Sequence, residues 1–254
     1  MRLAIITAYF KEDREIIERC IESVRSQTVP VEHILVADGH PRDWIKDLGL
    51  RHIELDRSHA DFGDTPRMIG FALAVRQGFD AIEFLDADNV IYPHHAAMAT
   101  ALLAETGAHV LVLKRRFLRP DGTPLGYVSP RDEALAHIDT NCYLFAPPSY
   151  LTAMKWALIP KELSYMGDHV FRSVLSKAKH PVAVAPEATV GYTSMFESTY
   201  RAVGEEPPPG CRDHSEQLNH AVAWWNGLGE AKREEIQTML GVRINFASGK
   251  PDEK

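Results

Sequence analysis

A short apolar run that ends in two closely spaced carboxylates dominates this sequence. The run covers residues 81–90 and has the sequence AIEFLDADNV. Because it has no polar face, it is typical of a strand buried on both sides of a parallel sheet. Asp86 and Asp88 would then emerge at the edge where the parallel strands end, which is where open α/β sheets bind their ligands. The run therefore predicts an α/β fold with a binding crevice at this edge.

The spacing of Asp86 and Asp88 indicates a cation site. Side chains alternate along a strand, but the alternation loosens at its end, so residues at i and i+2 can point the same way. Two neighbouring carboxylates repel each other, and a divalent cation relieves the repulsion. Hard oxygen ligands suit Mg²⁺ or Mn²⁺, which also bridge to phosphate oxygens. Two solvated Asp side chains in a turn are the alternative interpretation of an isolated pair.

The chain before this run alternates strands and helices. Residues 3–8 and 33–37 are apolar strand candidates, and Asp13 begins the helix between them, which ends before Pro30. This order is the βαβ unit of parallel sheets. The remaining predicted elements are a short helix at 41–48, a strand at 52–55, helices at 65–78 and 93–105, and a strand at 110–113. The pattern predicts a mostly parallel sheet flanked by helices.

The second half of the chain is less regular. The predicted elements are a turn-rich excursion at 119–124, a strand at 141–145, a helix from Gly167, a short strand at 182–185 and a proline-rich link at 204–210. A helical tail follows, in which we expect Trp224 and Trp225 to pack. We expect one main domain over residues 1–203, a linker and helical extension over 204–247, and a disordered tail at 248–254.

Composition excludes several classes of function. A formal charge of -7 and a pI near 5.9 argue against a nucleic-acid-binding protein, which needs a positive field. The three cysteines are far apart and predict neither a disulfide framework nor a zinc site. We find no signal peptide and no apolar run long enough to form a transmembrane segment. These features predict a cytoplasmic protein, with peripheral membrane association through its substrate as a further option.

Four motifs between residues 4 and 89 resemble those of family 2 glycosyltransferases with the GT-A fold. Residues 5–9 and 20–28 together resemble the opening strand and the S-V-x-x-Q-T helix end of that family. The other motifs are Val36–Gly39, which resembles V-D-D-G with Ala37 in place of the first acid, residues 67–70 at the position of A-R-N-x-G, and residues 84–89, which resemble F-L-D-A-D-D. The resemblance implies a GT-A fold with a nucleotide-sugar-binding half at about 1–115 and an acceptor half at 116–203.

The resemblance also implies a role for individual residues. Asp38 would accept a hydrogen bond from the base or ribose, and Arg67 would face the base or diphosphate. Asp86 would contact the ribose or waters on the metal, and Asp88 would bind the metal directly. The residues implied in nucleotide binding are Thr7, Ala8, Tyr9, Asp38, Arg67, Asp86 and Ala87. Each has an ordinary alternative: Tyr9 as an edge aromatic, Asp38 as a turn former, Arg67 as a surface charge.

Asp168 is the implied catalytic base. Many inverting members carry an acidic pair just before a helix, and Gly167-Asp168-His169 stands at that position. Direct displacement at the anomeric carbon needs a base within hydrogen-bond reach of the acceptor hydroxyl. A helix N-cap is the structural alternative for Asp168, and the two roles can coexist. Gly167 departs from the family pattern, because it replaces the first acid of the pair.

The remaining implied groups are the third metal ligand and the acceptor site. Relatives often supply a histidine as the third ligand, and His169 and His214 are the candidates here. Asp139 and Asn141 are candidates for the floor of the acceptor site, with Tyr200 and Arg201 on a loop that closes over the donor. The implied partners are Mn²⁺ or Mg²⁺, a UDP- or GDP-sugar and a sugar, lipid or glycoconjugate acceptor; a homodimer is one option for the assembly.

Two other functions are compatible with parts of the sequence. Residues 84–90 also fit the D-x-D-x-[TV] motif of haloacid-dehalogenase-type phosphatases, in which Asp86 would be the nucleophile and Asp88 an acid/base. That class usually has the motif on its first core strand, whereas two βα units precede it here. A non-catalytic nucleotide-binding module is the other alternative.

Overall fold

Residues 1–246, the part of the chain that the computed structural model describes, form an eight-stranded sheet flanked by helices. The predicted disordered tail at 248–254 lies outside these residues. The strands are β1 (Leu3–Tyr9), β2 (Val31–Ala37), β3 (Arg51–Glu54), β4 (Ala81–Phe84), β5 (Val90–Ile91), β6 (Val110–Leu118), β7 (Tyr143–Phe145) and β8 (Val182–Thr193). The predicted α/β class is therefore confirmed.

The helices mostly begin and end close to the predicted positions. They are α1 (Arg14–Arg25), α2 (Asp64–Arg76), α3 (His95–Thr106), α4 (Pro130–Glu133), α5 (Tyr150–Ala153), α6 (Gly167–Ala178), α7 (Glu197–Ala202), α8 (Ser215–Gly227) and α9 (Glu230–Leu240). Short 3₁₀ helices cover Asp43–Leu48, Thr140–Cys142, Pro147–Ser149, Met154–Leu158 and Lys161–Met166. The helix predicted at 41–48 is thus a 3₁₀ helix, ended by Gly49 in the left-handed conformation.

The sheet has a parallel half and a mixed half. Its order is β3-β2-β1-β4-β7-β6-β8-β5, and the four strands from β3 to β4 are parallel, as predicted. β7 then runs antiparallel to both β4 and β6, while β6 and β8 are parallel to each other. The ends of β1, β2, β4, β6 and β8 and the beginning of β7 therefore lie along one edge of the sheet. We call this edge the carboxyl edge.

β8 is much longer than the predicted strand at 182–185. It continues to Thr193 beside β6, although Pro186 lies within it. Two register shifts between β6 and β8, on either side of Lys114, accommodate this irregular stretch. Such bulges redirect side chains and are common next to active sites. Here the shift immediately precedes Arg115, whose side chain reaches the carboxyl edge.

An aromatic cluster fills the core behind this edge. Its fully buried members come from α2, β4, β7, the 3₁₀ turn at 154–158 and α6: Phe71, Phe84, Tyr143, Phe145, Trp156 and Phe171. Most neighbouring rings meet edge-on or tilted, whereas Tyr143 and Phe145 stack with their planes 13° apart. On the C-terminal helices, Trp225 is buried in the same hydrophobic core and Trp224 packs against it. The predicted packing role of these two tryptophans is thus confirmed.

Gly70 provides a test of the packing between α2 and β1. A Cβ at this position would lie 2.5 Å from Cγ2 of Ile6. Replacing a helical glycine with alanine usually stabilises a protein by about 0.4–1 kcal/mol, but overpacking costs about 1–3 kcal/mol. We expect Gly70→Ala to lower the free energy of unfolding, measured by urea denaturation. The control is Gly227→Ala, where no atom lies within 4 Å, and it should be neutral or stabilising.

Candidate active site

A cleft of about 960 Å³ opens along the carboxyl edge of the sheet. Its walls come from the ends of β1, β2, β4, β6 and β8 and from the segments before α2, α6 and α8. Among the predicted site residues, those that line it are Ala8, Tyr9, Asp38, Arg67, Asp86, Ala87, Asp88, Asp139, Asp168, His169 and His214. The fold therefore gathers residues that are far apart in the sequence into one site.

Asp86 is held by two fixed donors. Arg67 donates from Nη2 to Asp86 Oδ1 at 2.7 Å, and Asn141 donates from Nδ2 to Asp86 Oδ2 at 2.8 Å. Arg67 is itself 4% exposed and donates from Nη1 to Asp64 at 3.0 Å. Hydrogen bonds from a cation and an amide fix the orientation of the Asp86 carboxylate.

Asp88 has a very different environment. In residues 1–246 its carboxylate has no hydrogen bond or ion pair with the side chain of another residue, although its backbone carbonyl accepts hydrogen bonds from Arg19 and Thr193. Burial raises the pKa of Asp88 to about 7, and the nearby charges of Asp86 and Glu12 add to the effect. A fixed loop therefore presents an uncompensated carboxylate to the cleft. Such a group fits a divalent cation, which would offset the cost of its charge.

The third metal ligand predicted from the sequence is not brought to this pair. Neither His169 nor His214 forms a set of three ligand atoms with Asp86 and Asp88 within 4.8 Å of one another in the described chain. His214 instead stacks on Phe196, with ring centroids 3.7 Å apart. The set that meets this spacing consists of His137, Asp168 and His169, which lies on another part of the cleft wall. The geometry therefore does not support a histidine as third ligand beside Asp86 and Asp88.

Tyr9 and Asp38 form the wall at the ends of β1 and β2. Tyr9 is only 2% exposed; its ring stacks on His52 and its hydroxyl contacts His52 Nε2 at 2.7 Å. Burial raises the pKa of Tyr9 to about 12, so the phenol stays neutral. Asp38 accepts hydrogen bonds from Ser58 and from the backbone and ring of His59. This wall is therefore rigid before any ligand binds.

Thr7 lies beneath the cleft wall rather than on it. Its side chain is fully buried, and its hydroxyl contacts His33 Nε2 at 2.9 Å. Asn141 is also fully buried: it connects Asp86 to Asp139 and does not line the cleft. Both residues support the site from below, and Asp139 is the member of the predicted acceptor pair that reaches the cleft.

Asp168 does not cap α6. The helix begins at Gly167 with Met166 as its N-cap, so Asp168 lies in the first turn and the N-cap interpretation is wrong. Its carboxylate accepts from the backbone N–H of His169 at 2.7 Å and contacts His137 Nε2 at 2.6 Å. Burial alone would raise the pKa of Asp168, but the hydrogen bond and charge of His137 lower it below its usual value. Asp168 is therefore ionised at neutral pH.

The structure gives a reason for the glycine that precedes Asp168. A Cβ on Gly167 would lie 3.4 Å from Nε1 of Trp156 and 3.6 Å from Oδ2 of Asp64. Burial raises the pKa of Asp64 to about 7, because Arg67 only partly compensates its charge. A second carboxylate at position 167 would face Asp64, and like charges in a buried place are unfavourable. Asp64 thus lies where the first acid of such a pair would place its side chain.

Three functional-site residues were not found from the sequence: Arg115, Asp132 and His137. Arg115 donates to Asp132 and Asp139 and lies between the rings of Phe117 and Tyr192. These residues come from β6, α4 and the irregular segment after α4, so no short motif connects them. The density of polar residues between 129 and 141 was the available signal.

The predicted loop with Tyr200 and Arg201 is wrong. Both residues lie on α7; Tyr200 is 1% exposed and packs with Phe117 and Leu125, while Arg201 pairs with Glu197. The residues of this segment that do line the cleft include Phe196, Ser198 and Thr199.

The mixed sheet, with two carboxylates after β4 and a carboxylate at the start of α6, defines a protein of the GT-A class. A family model described as "Glycosyl transferase family 2" matches residues 4–147, and the chain belongs to this family. The phosphatase interpretation is therefore not supported, and Asp86, which is held by Arg67 and Asn141, is not a free nucleophile. A search of curated proteins finds no match.

Solved structures of S. aureus TarS share the fold. The TarS chain aligns with a TM-score of 0.60 and 16% identity over 94% of this chain, which spans 43% of the TarS chain. TarS 1–349 in complex with UDP aligns at 0.58 with 17% identity, covering 93% of this chain and 69% of that one. TarS 1–349 in complex with UDP-GlcNAc aligns at 0.59 with 15% identity, covering 95% and 80%.

Membrane-spanning helices were searched for separately. Among the helices of residues 1–246, none has the length and apolar composition needed to cross a bilayer.

The raised pKa of Asp88 predicts a pH-dependent stability in metal-free protein. The ordinary pKa of an Asp side chain is 3.8, so the folded protein favours the protonated carboxyl more than the unfolded chain does. The stability that this preference provides is lost as the pH rises through about 7. We expect Asp88→Asn to raise the free energy of unfolding at pH 8 by on the order of 1–3 kcal/mol, with a smaller gain at pH 4. Urea denaturation with EDTA measures it. The exposed Asp47→Asn is the matched control; an equal pH response in both variants would contradict the burial of Asp88.

Proposed function

We propose that this chain transfers a sugar from a nucleotide-diphosphate sugar to an acceptor hydroxyl, with a divalent cation held at Asp88 and Asp86. The observation that carries the proposal is the carboxylate of Asp88, which has no side-chain partner among residues 1–246 and shares one cleft with the ionised carboxylate of Asp168. The carboxylate of Asp88 suits a cation bound to a diphosphate, and the carboxylate of Asp168 suits an acceptor hydroxyl. The TarS complexes with UDP and UDP-GlcNAc favour a UDP-sugar as the donor over a GDP-sugar.

On this proposal the nucleoside binds at the wall formed by β1 and β2. Asp38 is a fixed acceptor there, since Ser58 and His59 hold its carboxylate in place. Tyr9, kept neutral and anchored by His52, presents a flat and rigid surface at the same end. Ala8 and Ala87 line the wall with small side chains and leave room for the ligand. A preformed wall reduces the ordering cost of binding.

The diphosphate would lie beside Asp86, Asp88 and Arg67. When bound, Mg²⁺ or Mn²⁺ would neutralise the charge that develops on the β-phosphate as the sugar departs. Asp88 and Asp86 would hold the cation through their carboxylates. Arg67 holds Asp86 in place and keeps a positive charge on this side of the cleft.

Asp168 would act as the general base. Its carboxylate accepts the proton of the acceptor hydroxyl while the hydroxyl oxygen forms a bond to the anomeric carbon. The bond between that carbon and the diphosphate oxygen breaks, and its electron pair leaves with the nucleotide. Attack opposite the leaving group inverts the configuration. Asp139, which lines the same cleft, would contact the acceptor, which we expect to be a sugar, lipid or glycoconjugate.

Location and assembly remain predictions from the sequence. A cytoplasmic protein that meets a membrane only through its acceptor is compatible with the proposed reaction, and so is a homodimer. Co-sedimentation with lipid vesicles would test the membrane association, and light scattering would test the homodimer.

Asp88→Asn tests donor binding. In wild-type protein with Mn²⁺, a donor at a hundredfold its Kd should stabilise the fold by about 2.7 kcal/mol. We expect Asp88→Asn to lose most of this gain and all turnover, because the cation loses its free carboxylate. The measurement is thermal unfolding with UDP-GlcNAc, UDP-glucose or GDP-mannose, with Asp47→Asn as the control. Full turnover by Asp88→Asn would exclude this cation site.

Asp168→Asn tests the chemical step. The amide cannot take a proton from the acceptor, so turnover should fall by about 10²–10⁴-fold. The Kd of the donor should stay within about twofold, because Asp168 lies away from the nucleotide wall. Nucleotide release and donor binding are measured on the same samples. Unchanged turnover would place the base elsewhere, while donor binding without turnover in wild-type protein would favour the binding-module alternative.

A further inference from the structure

His137 lies between two carboxylates. Its Nδ1 is 2.8 Å from Oδ1 of Asp132, and its Nε2 is 2.6 Å from Oδ2 of Asp168. An ionised carboxylate only accepts hydrogen bonds, so both contacts require a proton on the histidine nitrogen. The ring is therefore an imidazolium. Burial alone would lower the pKa of His137, but its hydrogen bonds to the two carboxylates raise it to about 9.

Asp132 is anchored on its other side. Arg115 donates from Nε to Asp132 Oδ2 at 2.7 Å, and the Ser129 hydroxyl accepts from the backbone N–H of Asp132 at 3.3 Å. Hydrogen bonds from His137 and the charge of Arg115 outweigh burial and lower the pKa of Asp132 to about 2. Arg115 also donates from Nη2 to Oδ1 of Asp132 at 3.3 Å, the same oxygen that contacts Nδ1 of His137, so the two cations share this carboxylate. Asp132 is consequently a fixed anion at the back of the imidazole.

Hydrogen bonds connect Asp132 and Arg115 to the donor side of the cleft. Arg115 also donates to Asp139, Asn141 connects Asp139 to Asp86, and Asp86 pairs with Arg67. The ring of His169 lies against His137, with centroids 5.1 Å apart, and limits its movement from the side of α6. His137 is thus the last member of a hydrogen-bonded chain that begins beside the donor site.

The orientation of Asp168 depends on this chain. Its Oδ1 accepts from a backbone N–H of α6, which is fixed by the helix, whereas Oδ2 is held by His137. Without His137, rotation about the Cα–Cβ and Cβ–Cγ bonds would be restrained only at Oδ1. A base must lie within hydrogen-bond reach of the proton that it removes, and small displacements of reacting groups are costly to the rate.

We propose that His137 is the positioning residue of the catalytic base: held by Asp132 and Arg115, its imidazolium fixes the Asp168 carboxylate toward the acceptor. The inference rests on the proposed function, in which Asp168 takes the acceptor proton. His137 does not take up the acceptor proton, because both of its ring nitrogens already donate to carboxylates. It acts through Asp168 and has no part in binding the nucleotide or the cation.

The first experiment observes the imidazolium directly in the full chain. Ring ¹⁵N spectra at pH 7 should show both nitrogens of His137 protonated, with its signals assigned by their loss in His137→Ala. We expect Asp132→Asn to remove this doubly protonated state, whereas Glu133→Gln, a change at the exposed neighbouring residue of α4, should leave it unchanged. A neutral His137 ring in wild-type protein would overturn the proposal, whatever the donor is.

The second experiment separates catalysis from binding. Nucleotide release from UDP-GlcNAc, UDP-glucose and GDP-mannose with Mn²⁺ is compared in His137→Ala, His137→Gln and the exposed-residue control His220→Ala. We expect kcat to fall by about ten- to a hundredfold in His137→Ala, with the Kd of donor and Mn²⁺ within about twofold of wild type. His137→Gln keeps a side-chain donor for Asp168 and should recover part of the loss. Weakened Mn²⁺ binding would make His137 a metal ligand and overturn the proposal.

A double variant distinguishes this inference from the proposed function. If His137 acts only through Asp168, adding His137→Ala to Asp168→Asn should cause no further loss of turnover. An additional tenfold loss in the double variant, or full turnover in His137→Ala, would overturn the positioning role while leaving Asp168 as the base. Full turnover in Asp168→Asn would instead overturn the base assignment, and the positioning role with it.

Discussion

Charge compensation along the carboxyl edge of the sheet is the constraint on which the site depends. Carboxylates that are shielded from water are costly unless they are paired, and three half-buried ones in the cleft are paired: Asp86 with Arg67, Asp139 with Arg115, and Asp168 with His137. Asp88 has no side-chain partner among residues 1–246. Its carboxylate is therefore a site of uncompensated negative charge, and our proposal for a cation follows from this lack of a partner rather than from acidic residues alone.

The antiparallel strand β7 makes this compensation possible. Because β7 runs against β4, the residues that precede it lie beside the residues that follow β4. Asn141 is thereby placed against Asp86, and Asp139 against Arg115 at the register shift of β6. A fully parallel sheet would put the start of that strand at the opposite edge. The mixed half of the sheet thus connects the donor and acceptor sides of the cleft.

Local patterns predicted the first half of the fold well. Continuous apolar runs with capped helices between them specify parallel strands, and Asp38, Asp86 and Asp88 follow such runs directly. The same approach failed where elements are short or irregular. The strand predicted at the position of β8 ended before Pro186, and Tyr200 was predicted to lie on a loop. The role of Asp168 as a helix cap was also wrong, because a side chain in the first turn can bond to a distant residue such as His137 instead.

The sequence by itself determined the α/β class, the family resemblance and the acids at the strand ends, because each depends on residues close together in the chain. Only the tertiary structure decided which acids are compensated. Arg67 and Asn141 reach Asp86, Arg115 reaches Asp132, and His137 reaches Asp168 across separations of 17 to 55 residues. Such pairings depend on strand order and register, which no short motif encodes. For the same reason, only the folded arrangement of residues 1–246 shows that none of their side chains pairs with the Asp88 carboxylate.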